Sequence, residues 1–488
     1  MFASSLPAGI PITARVRILW QMPFSMLLCF ALLSNFFMTA GHDRQRLMGV
    51  AVLVLAAVAG LAKRQFIPLF RTQAGKPLAV FFLLGILGSL GAFSPSYALF
   101  EVAIFFLLYL FAWGIADEIG RTGNVGLLTL ISVMAVTCAL YSVQFWVAYV
   151  AGFALGIPLD VGDFALPFAN IRFFNHTQTA SLPLVILLCC VTARQSRLRQ
   201  LWWSLAGYWW MAIFATSGRG TLMGMVAGCL VVAVLRRRLA IAYIKAAGLS
   251  ALLGVLGYVV FLVFIPYLAG GEAFGAFGSA LERTAADPAS GRGFLWRRAT
   301  ELILQHPMLG VGPMHFAHNA GDLHIGAHPH DWIMQIASEW GIPALLCLCA
   351  ALAFAWRALL RTGSKLPQGD TLNQTICSAL VAGSATILVD GLVSGLFVMP
   401  QSQLAIALFL ACAIGWCRVH ADRADVVAAP GPLIRAGTAI LVAAAAVCLV
   451  AAVWPEALAR YRGDDASAAQ QALNTGVNWP RLWRAGFF

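Results

Sequence analysis

Apolar stretches long enough to cross a bilayer recur along almost the whole chain, separated by short polar turns. A spanning helix needs about 20 mostly apolar residues. That length fits segments near 18–40, 47–62, 78–94, 97–116, 125–152, 177–193, 200–216, 220–235, 241–268, 331–356, 374–393, 398–417 and 435–454. The pattern predicts an all-α, polytopic transmembrane helix bundle of about 12–13 spans, because a helix satisfies its own backbone polar groups inside lipid. One polar interval is large, residues 269–330, and it lies as a loop within a membrane domain spanning 1–454. A short tail, 455–488, follows. Met1 to Arg17 lacks a convincing small-residue cleavage site, so the first apolar run is expected to stay as a helix.

Composition removes the alternatives. Of 488 residues 60% are hydrophobic and 11% charged, against about 25% charged in soluble domains. The net charge of +12 does not point to nucleic acid, because Lys and Arg sit in short clusters between apolar runs, the pattern of topology signals. With the N-terminus cytoplasmic, 20 of the 32 Lys and Arg fall on the inner side, including Arg194, Arg197, Arg199 and Arg236 to Arg238. Most of the others lie in the large loop and the tail, which translocate largely regardless of charge. The large loop therefore faces outward. All eleven cysteines fall within or beside apolar runs and form no disulfide framework or zinc pattern.

Six outward arginines then need a reason: Arg172, Arg219, Arg283, Arg292, Arg297 and Arg298. Three of them open helices. Thr216-Ser217-Gly218-Arg219-Gly220 begins one, with hydroxyls available to cap it, and Asn170 to Thr177 with Arg172 begins another. Arg292 precedes a segment with helical apolar spacing (Phe294, Leu295, Ala299, Leu302, Ile303), expected to lie on the membrane surface. A helix N-terminus plus a guanidinium is an anion site, and three on one face fit a diphosphate. The competing reading is that each arginine snorkels to lipid headgroups, and Arg283, Arg297 and Arg298 are left to it.

Histidines gather as well: His315, His318, His324, His328 and His330, with Asp322 and Asp331. A metal site is conceivable from His315 and His318, but no acidic or Cys partner stands at a convincing spacing, so no metal and no cofactor is assigned. A single histidine acting as general base and an interfacial histidine hydrogen-bonded in a loop both remain open. Gly310-Val311-Gly312-Pro313 reads as an architectural turn. Asp390, near the outer end of its helix, either supports such a site or faces water.

At these residues the chain resembles the O-antigen ligase family, within the superfamily of O-antigen ligases, O-antigen polymerases and bacterial protein O-oligosaccharyltransferases. The family's hallmark is His followed by Asn, Ser or Gln, nine residues, Gly, two residues, then Gly, Thr or Tyr. His330-Asp331, Trp332 to Trp340 and Gly341 keep that spacing, with Asp331 and Ala344 departing from it. Ser217-Gly218-Arg219-Gly220 is similar to the family's Ser-x-Arg-Gly helix start. Arg292 through Trp296 to His306-Pro307-Met308-Leu309-Gly310-Val311-Gly312 is similar to its Arg…Trp…Pro-Leu-x-Gly-Val-Gly stretch.

The resemblance implies an inverting, metal-independent glycosyltransferase of the bacterial inner membrane with a periplasmic site. It moves a glycan from undecaprenyl diphosphate to the lipid A–core oligosaccharide. His330 is then the base, Arg219, Arg292 and Arg172 hold the diphosphate, and His328, Asp390 and Ser217 support them. A polymerase or a protein O-oligosaccharyltransferase shares this chemistry; the short tail favours the ligase. A transporter of lipid-linked glycans is the rival of another class. It predicts ionisable groups near the bilayer midplane and paired broken helices, whereas the charges here gather at the outward ends.

Overall fold

The computed structural model describes residues 18, 20–34, 41–62, 72–156, 161–166, 168–270, 292–323, 325–421, 431–462 and 481. Among them the regular structure is helical throughout, and eight helices are long and apolar enough to cross a membrane. The order is α1 (Pro23–Ser34), α2 (His42–Ala62), α3 (Gly75–Leu90), α4 (Pro95–Leu155), α5 (Ile171–Val191), α6 (Arg197–Ala215), α7 (Arg219–Arg236) and α8 (Ile241–Gly257). Within the large loop lie α9 (Arg292–Gln305) and the single turn α10 (Phe316–Asn319), and after it come α11 (Trp332–Trp340), α12 (Ile342–Lys365), α13 (Thr371–Asp390), α14 (Pro400–Val419) and α15 (Pro432–Arg462). The protein is an all-α polytopic helix bundle, as the apolar pattern predicts.

Two of the long helices are folded pairs. α4 covers 61 residues, about three times what a bilayer core needs. It breaks at Gly123, which takes φ 67° and ψ −159°, a conformation that glycine adopts without a Cβ clash. Asp117 meets Arg418 at the end of α14, whereas Tyr141 meets Gln401 at its start. Glu101 and Gln403 are reached by one hydrogen-bonded network. The chain therefore descends along α14 to Gly123 and climbs back. α7 and α8 are likewise separated by a tight turn, Arg237–Ala240.

α5, α13 and α14 form the centre, and α8, α12 and α15 the rim. Of the most apolar window, 89% is buried in α5 and only 17% in α12. α7 closes on α13 through Gly220, Gly224 and Gly228, one turn apart. A Cβ at Gly224 would stand 2.6 Å from the Thr386 carbonyl, and one at Gly228 2.5 Å from that of Ala382. Small residues let the two backbones approach, the usual route to tight packing where lipid offers no hydrophobic drive.

Two expectations need correction. The segment 331–356 is not one helix. Gly341 has φ +87°, and a Cβ there would lie 2.3 Å from the Met308 carbonyl, so the chain turns sharply and α11 and α12 are separate. The last helix runs to Arg462, past the expected end at 454, with Pro455 inside it.

The basic clusters and the outward arginines occupy opposite ends of the same helices. Arg236, closing α7, meets Gln374 at the start of α13, while Thr221 at the start of α7 meets Asp390 at the end of α13.

Candidate active site

The short segment before α11 is held on both sides. Trp296 of α9 donates its indole N–H to the Pro329 carbonyl (3.1 Å). Trp332 donates its backbone N–H to Gly391 (3.1 Å) and its indole N–H to Leu388 (3.2 Å), at the end of α13. Asp331 caps α11, accepting from Ile333 N (2.8 Å) and Met334 N (3.0 Å). Asn or Ser does the same at an N-cap, so the departure from the hallmark at Asp331 keeps the same local chemistry.

His330 sits in that segment at φ 57°, the left-handed region that disfavours side chains and costs of order 1 kcal/mol. Its backbone N–H is directed at His328 Nδ1 (3.3 Å), and the two rings are 4.0 Å apart. His328 is buried, and Gly395 makes room for it, since a Cβ there would come 2.4 Å from its ring. His328 therefore acts on the backbone that presents His330. Burial, then the Arg292 charge, push the His330 pKa down to about 3. Burial, helped by His330, holds His328 well below the ordinary histidine value. Both imidazoles are neutral at pH 7, and a neutral ring can accept a proton.

The arginines do not form a symmetrical trio. The charge of Arg292 is felt at His330, His328, His176 and Asp390, and that of Arg172 at His176. Arg172 also donates to the carbonyls of Thr216 (3.1 Å) and Ser217 (2.7 Å), closing the α6–α7 turn onto α5. Arg219 is exposed at the first position of α7. The expected hydroxyl cap there is absent: Gly218 takes the N-cap position without a side-chain hydrogen bond. Thr216 Oγ instead donates to Ala212 and receives Asn175 Nδ2. Ser217 contributes its carbonyl and a φ of 51°.

Asp390 is buried, not water-facing. Thr179 Oγ donates to its carboxylate, Thr221 lies 3.5 Å from the same oxygen, and Gly220 leaves room for the other. Arg298 is a clamp inside the large loop, not a lipid contact. It pairs bidentately with Asp322 (3.0 and 2.9 Å) and with Glu301 (3.3 Å). Arg297 is exposed, while Arg283 and His324 lie outside the described residues. His315 has a structural role, its Nδ1 on the Pro313 carbonyl (2.8 Å) and its Nε2 receiving Ser94 N (2.8 Å). The glycine turn is architectural: Val311 N and Gly312 N bond Ser338 O (2.9 Å) and Glu339 O (3.0 Å), anchoring the end of α11.

Sequence reasoning passed over His176, one turn beyond Arg172 and buried, and the buried ions Arg46, Glu101, Glu339 and Arg481. An acid inside an apolar run, as Glu101 is, was the available signal.

No curated protein matches the chain. A family model described as O-antigen ligase matches residues 204–349, which include Arg219, Arg292, Trp296, His330 and Gly341. Over that region the chain is similar to the O-antigen ligase family.

Proposed function

We propose that the protein is a glycosyltransferase that transfers O-antigen from undecaprenyl diphosphate to the lipid A–core oligosaccharide at the periplasmic face of the inner membrane. The observation that carries this reading is that Trp332 bonds the His330 segment to the end of α13 beside Asp390, with the Arg292 charge felt at both groups, at the helix ends opposite the basic clusters. The positive-inside rule makes the end with the clusters cytoplasmic and the site periplasmic.

In the reaction, an acceptor hydroxyl attacks the anomeric carbon of the lipid-linked sugar. The new C–O bond forms as the bond to the diphosphate breaks, on the opposite face, with inversion. His330 takes the hydroxyl proton, and the diphosphate departs with the electron pair. Arg292, with Arg172 and Arg219 at the entrance, stabilises the charge that develops on it. Asp390 and its threonine hydroxyls balance the local positive charge, and His328 and the Ser217 carbonyl hold the frame.

The depressed pKa of His330 has a chemical consequence. A base of pKa about 3 is weak, but part of the depression comes from Arg292. A bound diphosphate offsets that cation, so the donor itself raises the proton affinity of the base. The base is strongest when the site is filled.

The test is transfer by purified protein from a lipid-linked glycan, with rough lipopolysaccharide, free glycan or a protein as acceptor. Transfer to rough lipopolysaccharide supports the ligase; extension of the glycan instead identifies a polymerase. His330→Ala is expected to lower the rate by about 10²–10⁴-fold, and a near wild-type rate refutes the base.

A further inference from the structure

We infer that Arg481, beyond α15 in sequence, is a positioning residue: it pins α11, and with it the segment that presents His330. The functional half of this inference rests on the reading of His330 given above.

Arg481 is buried within the bundle, its side chain 1% exposed. Its Nη2 donates to both oxygens of Glu101 (2.9 and 2.8 Å) and to Glu339 Oε2 (2.6 Å). With its amide turned so that the oxygen faces the guanidinium, Gln335 accepts from Nη2 (3.1 Å) and Nη1 (2.8 Å). The Arg481 carbonyl receives Arg46 Nη2 (2.9 Å), and Arg46 also bonds the Val398 carbonyl (2.7 Å) and Gln403 Oε1 (3.0 Å). Two guanidiniums and two carboxyl groups are thus buried together with their donors facing acceptors, the condition under which such groups are tolerated away from water.

The geometry selects α11. Gln335 and Glu339 lie one turn apart on the same face of it, and both turn to the one guanidinium. The other oxygen of Glu339 receives Phe316 N (3.0 Å). Arg481 therefore joins α11 to α4 through Glu101, and to α2 and the start of α14 through Arg46. α11 has only nine residues, too few to be stable alone, so tertiary contacts must hold it in place. Its N-cap, Asp331, is the neighbour of His330 in the chain. Without Arg481, Glu101, Glu339 and Gln335 lose the donor they share, and the short helix is the element free to move.

The experiment compares amide exchange and transfer in full-length wild type, Arg481→Ala and Arg481→Lys. Arg481→Ala is expected to speed exchange over 332–340 by about 10-fold or more while 342–365 exchanges as in wild type. Arg481→Lys restores the charge without the fork and falls between. In transfer assays the Arg481→Ala kcat falls by about 10-fold or more, donor KM changes by less than about threefold, and free guanidinium restores part of the rate. Should Arg481→Ala fail to fold, the same readings are taken on Arg481→Ala/Glu339→Gln, which removes the stranded carboxyl group. Unchanged exchange over 332–340 in a folded variant overturns the pin. Faster exchange with an unchanged kcat overturns its role in positioning the site. Wild-type transfer by His330→Ala refutes the transfer chemistry instead, and leaves the exchange result standing.

Discussion

α5 and α12 have nearly equal lengths, 21 and 24 residues, and opposite surroundings. α12 is a rim helix whose Leu346 and Phe354 are exposed toward lipid. α5 is the least apolar of the eight spans and the most enclosed. Its Asn175, His176, Thr177, Gln178, Thr179 and Ser181 are all buried. Each end of that polar seam is bonded to a neighbour: Gln178 to the Trp209 carbonyl (2.9 Å), Trp209 to Ser181 (3.0 Å), Thr179 to Asp390. In a bilayer an apolar side chain is at home on the outside, and a polar one must find partners inside. Hydropathy is therefore loudest on the rim and faintest along the buried polar seam.

The comparison breaks first at the chemistry. Replacing His330, reached from the polar seam, carries the largest loss, whereas Leu346→Ala on α12 should leave transfer unchanged in the same assay. Next comes pH. Free enzyme keeps His330 neutral down to about pH 4, given its pKa of about 3, so kcat/KM should show no acid limb near the ordinary histidine value of about 6.5. Bound donor raises that pKa, so the limb in kcat should lie at higher pH than the limb in kcat/KM. Arg292→Gln removes a positive neighbour and should move the kcat/KM limb upward as well. For stability the sign is the same: below about 6.5 the unfolded imidazole binds a proton that the folded one refuses, so stability falls as pH drops.

Packing effects follow. Gly224→Ala places a methyl against the Thr386 carbonyl and should cost about 1–3 kcal/mol in thermal denaturation. Gly248→Ala on α8 meets nothing within 4 Å and should be neutral or stabilising by up to about 1 kcal/mol. Equal losses at both would mean that the rim and the seam are not distinct. Thr179→Val leaves the Asp390 carboxylate short of a donor and should cost about 1–3 kcal/mol. The smallest effect is expected for Leu346→Val, within about 0.5 kcal/mol.

The apolar pattern located every long helix, because the bilayer imposes one length and one composition on all of them. It missed the break at Gly341, which splits one predicted helix, whereas the break that Gly123 makes falls between the expected spans 97–116 and 125–152. At the proposed site, His330, Arg292 and Arg172 could be singled out because chargeable residues at helix ends stand out against an apolar background. Arg219 was read as their equal, and like Arg172 it is exposed, at the first position of α7. Its motif records a helix start, and a helix start does not say which way the side chain leans.

By itself the chain determined that it spans a membrane many times, which ends of its helices are basic, and which residues are able to carry charge chemistry. These follow from transfer free energies and local spacing, and need no knowledge of neighbours. Only the tertiary structure decided that Asp390 is sealed among hydroxyls, that His328 bonds the His330 backbone, and that Arg481 enters a pocket between Glu101 and Glu339. The Asp390 and Arg481 pairings join residues 142 to 380 positions apart, and the worth of all three depends on burial and on distances of a few ångströms, which a linear pattern does not contain.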